Sequence, residues 1–368
     1  MNSAFTDDQL ALAAAVRDIL RVHCPPRAAR TGRDRRPGWA QLAGAGFFGL
    51  LVPVEYGGRG MGLAGAVLAL EETGWAAMPG PVAETMAAAP ALLAGEPGLL
   101  VGLAAGTTCV SLRLGGQVYV PDADLADVLV LDAGTRPYVL DAADVRLVHQ
   151  AGMDPVRRLF TAAFEPAAAR PVGPGADPVT ALRRVTVATA AQLVGTARRL
   201  LDLTAAHAGR PAWADTSVAY PAPLRPDHAT WKGVMHQLGD VAVAVEFATP
   251  LVHRAALAVD EGLPGADREV SAAKAAAGEA AGRAARTALR VHGAIGYAAD
   301  PDLRLWLARV WSLSAAYGDT ALHRARLRDT LLASGPRTRP PAPLPAARTA
   351  PDLVSGRQDL PTGREPAV

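Results

Sequence analysis

At 368 residues the chain exceeds the usual size of one hydrophobic core, which predicts two or three packed units. Half of the residues are hydrophobic and only a fifth are charged, which excludes a disordered protein. Thirty-seven bases against 35 acids leave a net charge of +2, so no strong field marks a nucleic-acid partner. Two cysteines, Cys24 and Cys109, make neither a metal-ligand spacing nor a disulfide framework and suit a reducing cytoplasm. The polar, acidic start does not read as a signal peptide. No uninterrupted apolar run reaches about 18 residues, so no membrane span is expected.

Thr6-Asp7-Asp8-Gln9 has the form of a capping box, ahead of a helix carrying Leu10, Leu12, Val16, Ile19 and Leu20 mostly on one face. Pro25-Pro26 ends it. A short helix follows over 39–46. Gly57, Gly58 and Gly60 make a loop, and a helix resumes over 63–72. Pro79-Gly80-Pro81 breaks the chain before an Ala-rich helix that runs to about Leu93. Residues 1–98 therefore predict an N-terminal helical domain. From about Leu99 the period changes to short β-type runs (TTCVSLRL, GQVYV, ADVLVL, RPYVLD, VRLVHQ), which predict a small β-domain over 99–173.

Residues 174–335 read as helices again. Four amphipathic stretches, 180–207, 230–262, 268–292 and 302–334, predict an up-and-down four-helix bundle. VHGAIGY (291–297) predicts a tight loop between the last two. The tail, 336–368, is rich in Pro and charge and is expected to be disordered. The fold class is α+β, mainly α: helices, a small β-domain, then a bundle.

Three stretches in this order resemble the acyl-CoA dehydrogenase family: FGLLVPVEYGGRGMGLAGAVLALEETG, VYVPDADLADVLVL, and AAKAAAGEAAGRAARTALRVHGAIGYAADPDLRLWLARV. The resemblance covers about residues 5–333 and extends to the subunits of mixed-oligomer actinobacterial-type enzymes. It implies a homo-oligomer or hetero-oligomer, FAD bound between subunits, and an acyl-CoA or acyl-carrier thioester beside the flavin. A carboxylate removes the α-proton, hydride leaves the β-carbon for the flavin, and an electron-transfer flavoprotein is the implied acceptor.

The motifs depart from the family at the chemistry. The usual base lies in a Tyr-Glu-Gly-Thr motif, matched here by Tyr317, Gly318, Asp319 and Thr320. Gly318 takes the place of the acid. Asp319 is then the candidate catalytic base, and a helix N-cap is its alternative role. Tyr317 is the candidate substrate contact. Some relatives carry the base on the first bundle helix, but the matching positions are Arg184 and Val185. The Thr-Glu-Pro…Gly-Ser loop has no counterpart, because VSLRL passes through Gly115-Gly116 straight to QVYV. The Trp-Ile-Thr turn over the flavin becomes Tyr119-Val120-Pro121.

The candidate cofactor-binding residues implied by the resemblance are Tyr119, Arg210, Trp213, Arg290, His292, Gly293, Gly296 and Thr320. The small residues of VHGAIGY allow close backbone approach to a phosphate, and Arg290 suits a pyrophosphate. The expected function is an acyl-CoA dehydrogenase-like flavoprotein subunit with a degenerate base, paired with a base-bearing paralogue. The alternative is a non-redox thioester-binding protein on the same fold, without FAD. A helical scaffold is disfavoured by the retained β-domain.

Overall fold

The computed structural model describes residues 5–31, 34–134, 136–167, 169–209, 228–298 and 301–333. The N-terminal unit holds α1 (Asp7–His23), α2 (Pro26–Thr31), α3 (Trp39–Gly44), α4 (Leu63–Trp75), α5 (Ala89–Leu92) and α6 (Pro97–Ala104). Its first turn forms as the sequence dictates. Gln9 N donates to Thr6 Oγ1 at 3.3 Å, and Thr6 N donates to Gln9 Oε1 at 3.0 Å. Residues 99–104 are helical rather than the start of the β-domain. Pro97 is pre-organised for the first turn of α6, and a short apolar run has no period that separates strand from helix.

The strands are β1 (Val110–Arg113), β2 (Val120–Pro121), β3 (Val128–Asp132), β4 (Pro137–Asp141), β5 (Arg146–Gln150), β6 (Leu159–Ala163) and β7 (Arg170–Pro171). They form two sheets, ordered β1-β3-β4-β7 and β2-β6-β5. Among the described residues only β1 and β3 pair in parallel. Alternation along β3 joins two cores. Leu129 and Leu131 pack with Val120, Tyr138 and Phe160 between the sheets, whereas Val130 faces the large helical core.

The bundle comprises α7 (Pro178–Ala208), α8 (His228–Asp260), α9 (Ala266–Ala298), α10 (Pro301–Ala315) and α11 (Thr320–Ala333). Two boundaries differ from the sequence reading. The predicted fourth helix is two helices, α10 and α11, with a turn at Tyr317-Gly318. VHGAIGY is not an open loop. It continues α9 across a kink at Gly293, whose φ of 59° and ψ of −146° are non-helical. Among the described residues one apolar helix, Lys232–Asp260, is long enough to cross a membrane by length and composition, but its Val241, Val245, Ala248 and Val252 are buried in the helical core.

Glycine sets the contact between α4 and α7. A Cβ at Gly74 would strike the Gln192 carbonyl, and one at Gly195 would strike the Glu71 carbonyl. The approach lets Thr196 Oγ1 donate to Gly74 O at 3.0 Å and Gln192 Nε2 donate to Thr73 Oγ1 at 3.1 Å. The far end of the bundle caps the N-terminal unit: Asp260 accepts from Leu63 N and Ala64 N, both at 2.8 Å.

Candidate functional site

The site grows from the break between α10 and α11. Tyr317 and Gly318 adopt φ values of 56° and 102°. Such a conformation is costly for tyrosine and persists only where surroundings enforce it. Here the two backbone carbonyls are enforced from α9 and α11. Lys274 Nζ donates to Gly318 O at 2.9 Å and to Ser314 O at 3.1 Å. His323 Nε2 stands 3.1 Å from Tyr317 O, and its Nδ1 3.3 Å from Ser271 Oγ. A carbonyl only accepts, so Nε2 carries the proton and Nδ1 accepts from the serine.

Burial shapes both bases. The Lys274 ammonium is pushed down to about 7, first by desolvation and then by the Arg157 charge. A neutral amine keeps two N–H donors, enough for its two carbonyls. Desolvation likewise pushes His323 down to about 4, which keeps it neutral near pH 7.

This packing closes the position where the family resemblance leads one to expect the base. A Cβ on Gly318 would lie 2.7 Å from His323 Nε2 and 3.0 Å from Leu322 Cδ2. Asp319 is exposed, and its Oδ1 accepts from Leu322 N at 2.8 Å as the N-cap of α11. On α7, Arg184 is partly buried and Val185 fully so. Among the described residues, neither usual base position presents a carboxylate.

Tyr317 points inward, 5% exposed, and donates to Glu84 Oε1 at 2.7 Å. Glu84 opens a π-helical turn, Glu84–Ala88, that runs into α5. Such turns recur at functional sites. Arg157 Nη2 reaches the same oxygen at 3.3 Å, and its Nη1 reaches Ser312 Oγ at 3.4 Å. Beside them Arg309 donates to Asp154 Oδ2 at 2.6 Å and to Met78 O at 2.7 Å. Asp122, left-handed at φ 46°, accepts from Arg158 N at 2.8 Å through Oδ1. Its buried Oδ2 has no hydrogen-bond partner among the described residues. Desolvation raises this carboxyl to about 7, against the pull of Arg157.

A cleft of about 760 Å³ separates the β-domain from α7, α9 and α11. Gly115 and Gly116 form one lip, and Ser271 and His323 lie in its lining. Arg183 is spent on Asp267, at 2.7 and 2.9 Å. Arg136 and Arg326 also line it; Arg136 Nε donates to the Tyr138 hydroxyl at 3.3 Å and its guanidinium lies over the same ring, while the Arg326 charge acts on Asp267.

The expected cofactor contacts separate into two groups. Tyr119 is 42% exposed beside exposed Val118, on the approach to β2. Arg290 is exposed near the end of α9, three residues before the Gly293 kink, where an added Cβ would meet no described residue within 4 Å. His292 turns inward. It is buried, with Nδ1 2.9 Å from Ala288 O, and stacks on His207 at 4.1 Å. Thr320 Oγ1 packs against Gly278 of α9. Gly296 lies in α9 beyond the kink. Arg210 and Trp213 lie outside the described residues.

Sequence reasoning missed Glu84, Arg157, Lys274 and His323. Two of them carried a signal: Glu84 stands alone in PVAETMAAAPALL and Lys274 alone in SAAKAAAG, each a single charge in an apolar run.

Residues 6–98 match the acyl-CoA dehydrogenase N-terminal domain, and residues 179–332 match the acyl-CoA dehydrogenase C-terminal domain. The chain belongs to the acyl-CoA dehydrogenase family. It is 28% identical to the acyl-CoA dehydrogenase IpdE2 of Mycobacterium tuberculosis, over 82% of this chain and 91% of the relative. Its fold is similar to that of a variant of the Tcur3481–Tcur3483 steroid ACAD (TM-score 0.75, 23% identity, 89% of this chain and 98% of the other). It is similar also to the ChsE4–ChsE5 complex from Mycobacterium tuberculosis (TM-score 0.71, 22% identity, 90% and 99% covered).

Members of this family are FAD-dependent dehydrogenases. Two features of this chain fit that group. Val118 and Tyr119 offer exposed apolar surface to a planar ring. Arg290 beside the open backbone at Gly293 offers a cation and a close approach to an anion.

Proposed function

We propose that this chain is one subunit of a mixed acyl-CoA dehydrogenase: it carries no base of its own and completes the FAD site of a base-bearing partner. The observation that carries this reading is the closed base position. His323 and Leu322 occupy the space a side chain at Gly318 would need. Asp319, one residue on, is committed to capping α11 from an exposed position.

The other residues have roles that follow from their chemistry. Arg290 and the Gly293 backbone hold a pyrophosphate, because a guanidinium and an unobstructed backbone match its oxygens. Tyr119 and Val118 cover an apolar ring face. Arg136 and Arg326, which line the cleft, receive the phosphates of a CoA-type thioester. FAD, when bound, supplies the hydride acceptor for α,β-dehydrogenation of the thioester. The proton acceptor belongs to the partner. The similarity to the ChsE4–ChsE5 complex supports a two-chain assembly of this kind.

The visible absorbance spectrum tests this, taken on the chain purified alone and co-expressed with a paralogue encoded beside it. A flavin spectrum in the co-expressed complex only is expected. A yellow protein purified alone that reduces a dye with acyl-CoA overturns the reading. No flavin in either sample favours thioester binding without redox chemistry.

A further inference from the structure

We propose that Glu84, Arg157 and Tyr317 form a charged plug that closes the inner end of the cleft and excludes the apolar tail of a thioester from this subunit. The proposal rests on the reading of the cleft as a thioester site.

The cleft and the plug share one wall. His323 lines the cleft, and its Nε2 donates to the Tyr317 carbonyl at 3.1 Å. Behind that carbonyl the Tyr317 ring runs inward to Glu84, where it meets Arg157. The three residues come from the bundle, the N-terminal unit and the β-domain, and all are at most 8% exposed. A second pair, Arg309 with Asp154, lies in the same interior. Asp122 feels both arginines and Glu84.

A charged network is a poor choice for simple filling. Well-packed hydrophobic residues of similar volume are usually as stabilising as a buried ion pair. The network does one thing they do not. A hydrocarbon tail offers no hydrogen bond, so moving Tyr317 and Arg157 aside for it leaves a buried carboxylate unpaired. That cost exceeds what burying a few methylenes returns. Rejection of a ligand by stranded polar groups is a specificity device, and it discriminates more sharply than a change in pocket size. Arg157 and Tyr317 both bind Glu84 Oε1, so an entering tail would break both bonds at one atom.

The test is calorimetric titration of the purified chain with CoA, butanoyl-CoA and dodecanoyl-CoA, which scores no flavin. The wild type is expected to bind the three within about threefold of one another, or to bind none. Glu84→Leu with Arg157→Met removes both charges together, and this variant is expected to bind dodecanoyl-CoA at least about tenfold more tightly than wild type. A wild type that tightens about tenfold from butanoyl to dodecanoyl overturns the plug. So does a folded variant that gains nothing. Should that variant not fold, Glu84→Gln with Arg157→Gln removes both charges and keeps polar side chains, and a gain of at least about threefold is required of it. Failure of the mixed-subunit reading appears in the absorbance of the co-expressed complex, and failure of the plug appears in chain-length dependence.

Discussion

Tyr317 donates to Glu84 Oε1 over 2.7 Å, joining the turn before α11 to a π-helical turn 233 residues earlier. The tyrosine holds a left-handed backbone to do so, at φ 56°. The turn before α11 is a structural joint among three units. Its carbonyls are held by Lys274 and His323, and its side chain is held by Glu84. Several consequences can be measured.

Restoring the acid by Gly318→Glu should not restore a dehydrogenase. The position has φ 102°, and a Cβ would lie 2.7 Å from His323 Nε2. A loss of about 1–3 kcal/mol is expected from the strained conformation and the contact. Urea denaturation measures the loss, and a dye-reduction assay measures the activity. Acyl-CoA-dependent dye reduction by this single variant would show that the base position is open.

Arg290→Glu should leave stability within about 0.5 kcal/mol of wild type, because the side chain is exposed. The flavin content of the co-expressed complex should fall by about tenfold or more, since a carboxylate would face a pyrophosphate. Unchanged flavin-to-protein absorbance would remove Arg290 from the cofactor site.

Lys274→Met should change stability in a pH-dependent way. The folded value of about 7 lies below the usual 10.5, so between these values the unfolded chain binds the extra proton. Wild-type stability from this group therefore rises with pH across that window, by up to about 1.4 kcal/mol per unit. The variant lacks the term. Denaturation midpoints at about pH 6 and about pH 9 should show wild type gaining on the variant. Parallel pH profiles would contradict the shift.

Asp122→Asn should act with the opposite sign. The carboxyl rises from 3.8 to about 7 on folding, so its contribution is fully present below 3.8 and lost as pH rises through about 7. Asparagine tolerates the left-handed backbone and keeps the acceptor for Arg158 N. The variant should gain about 1–3 kcal/mol on wild type between about pH 5 and about pH 8. A constant difference across that range would mean that the buried carboxylate ionises freely.

Asp260→Ala should cost about 1–2 kcal/mol, because the N-terminus of α4 loses acceptors for Leu63 N and Ala64 N. The thermal midpoint reports it. Hydrogen exchange should quicken first at the start of α4.

The sequence by itself determined the order of the architecture. The capping box at Thr6 and Gln9, the helical periods of the bundle and the short β-type runs after residue 107 are local signals, each complete within a few residues. It also marked Asp319 as suited to cap α11, and its family resemblance raised the expectation of a missing acid at Gly318. Local pattern gave no boundary between the fourth helix and its break, because the turn at Tyr317 is enforced by Lys274 and His323 from other turns of the bundle. It also missed the continuation of α9 through Gly293, where glycine and histidine read as a loop. Only the tertiary structure decided which buried charges meet. Glu84, Arg157 and Tyr317 lie on three units far apart in sequence, and no spacing along the chain records a contact that exists only once those units pack.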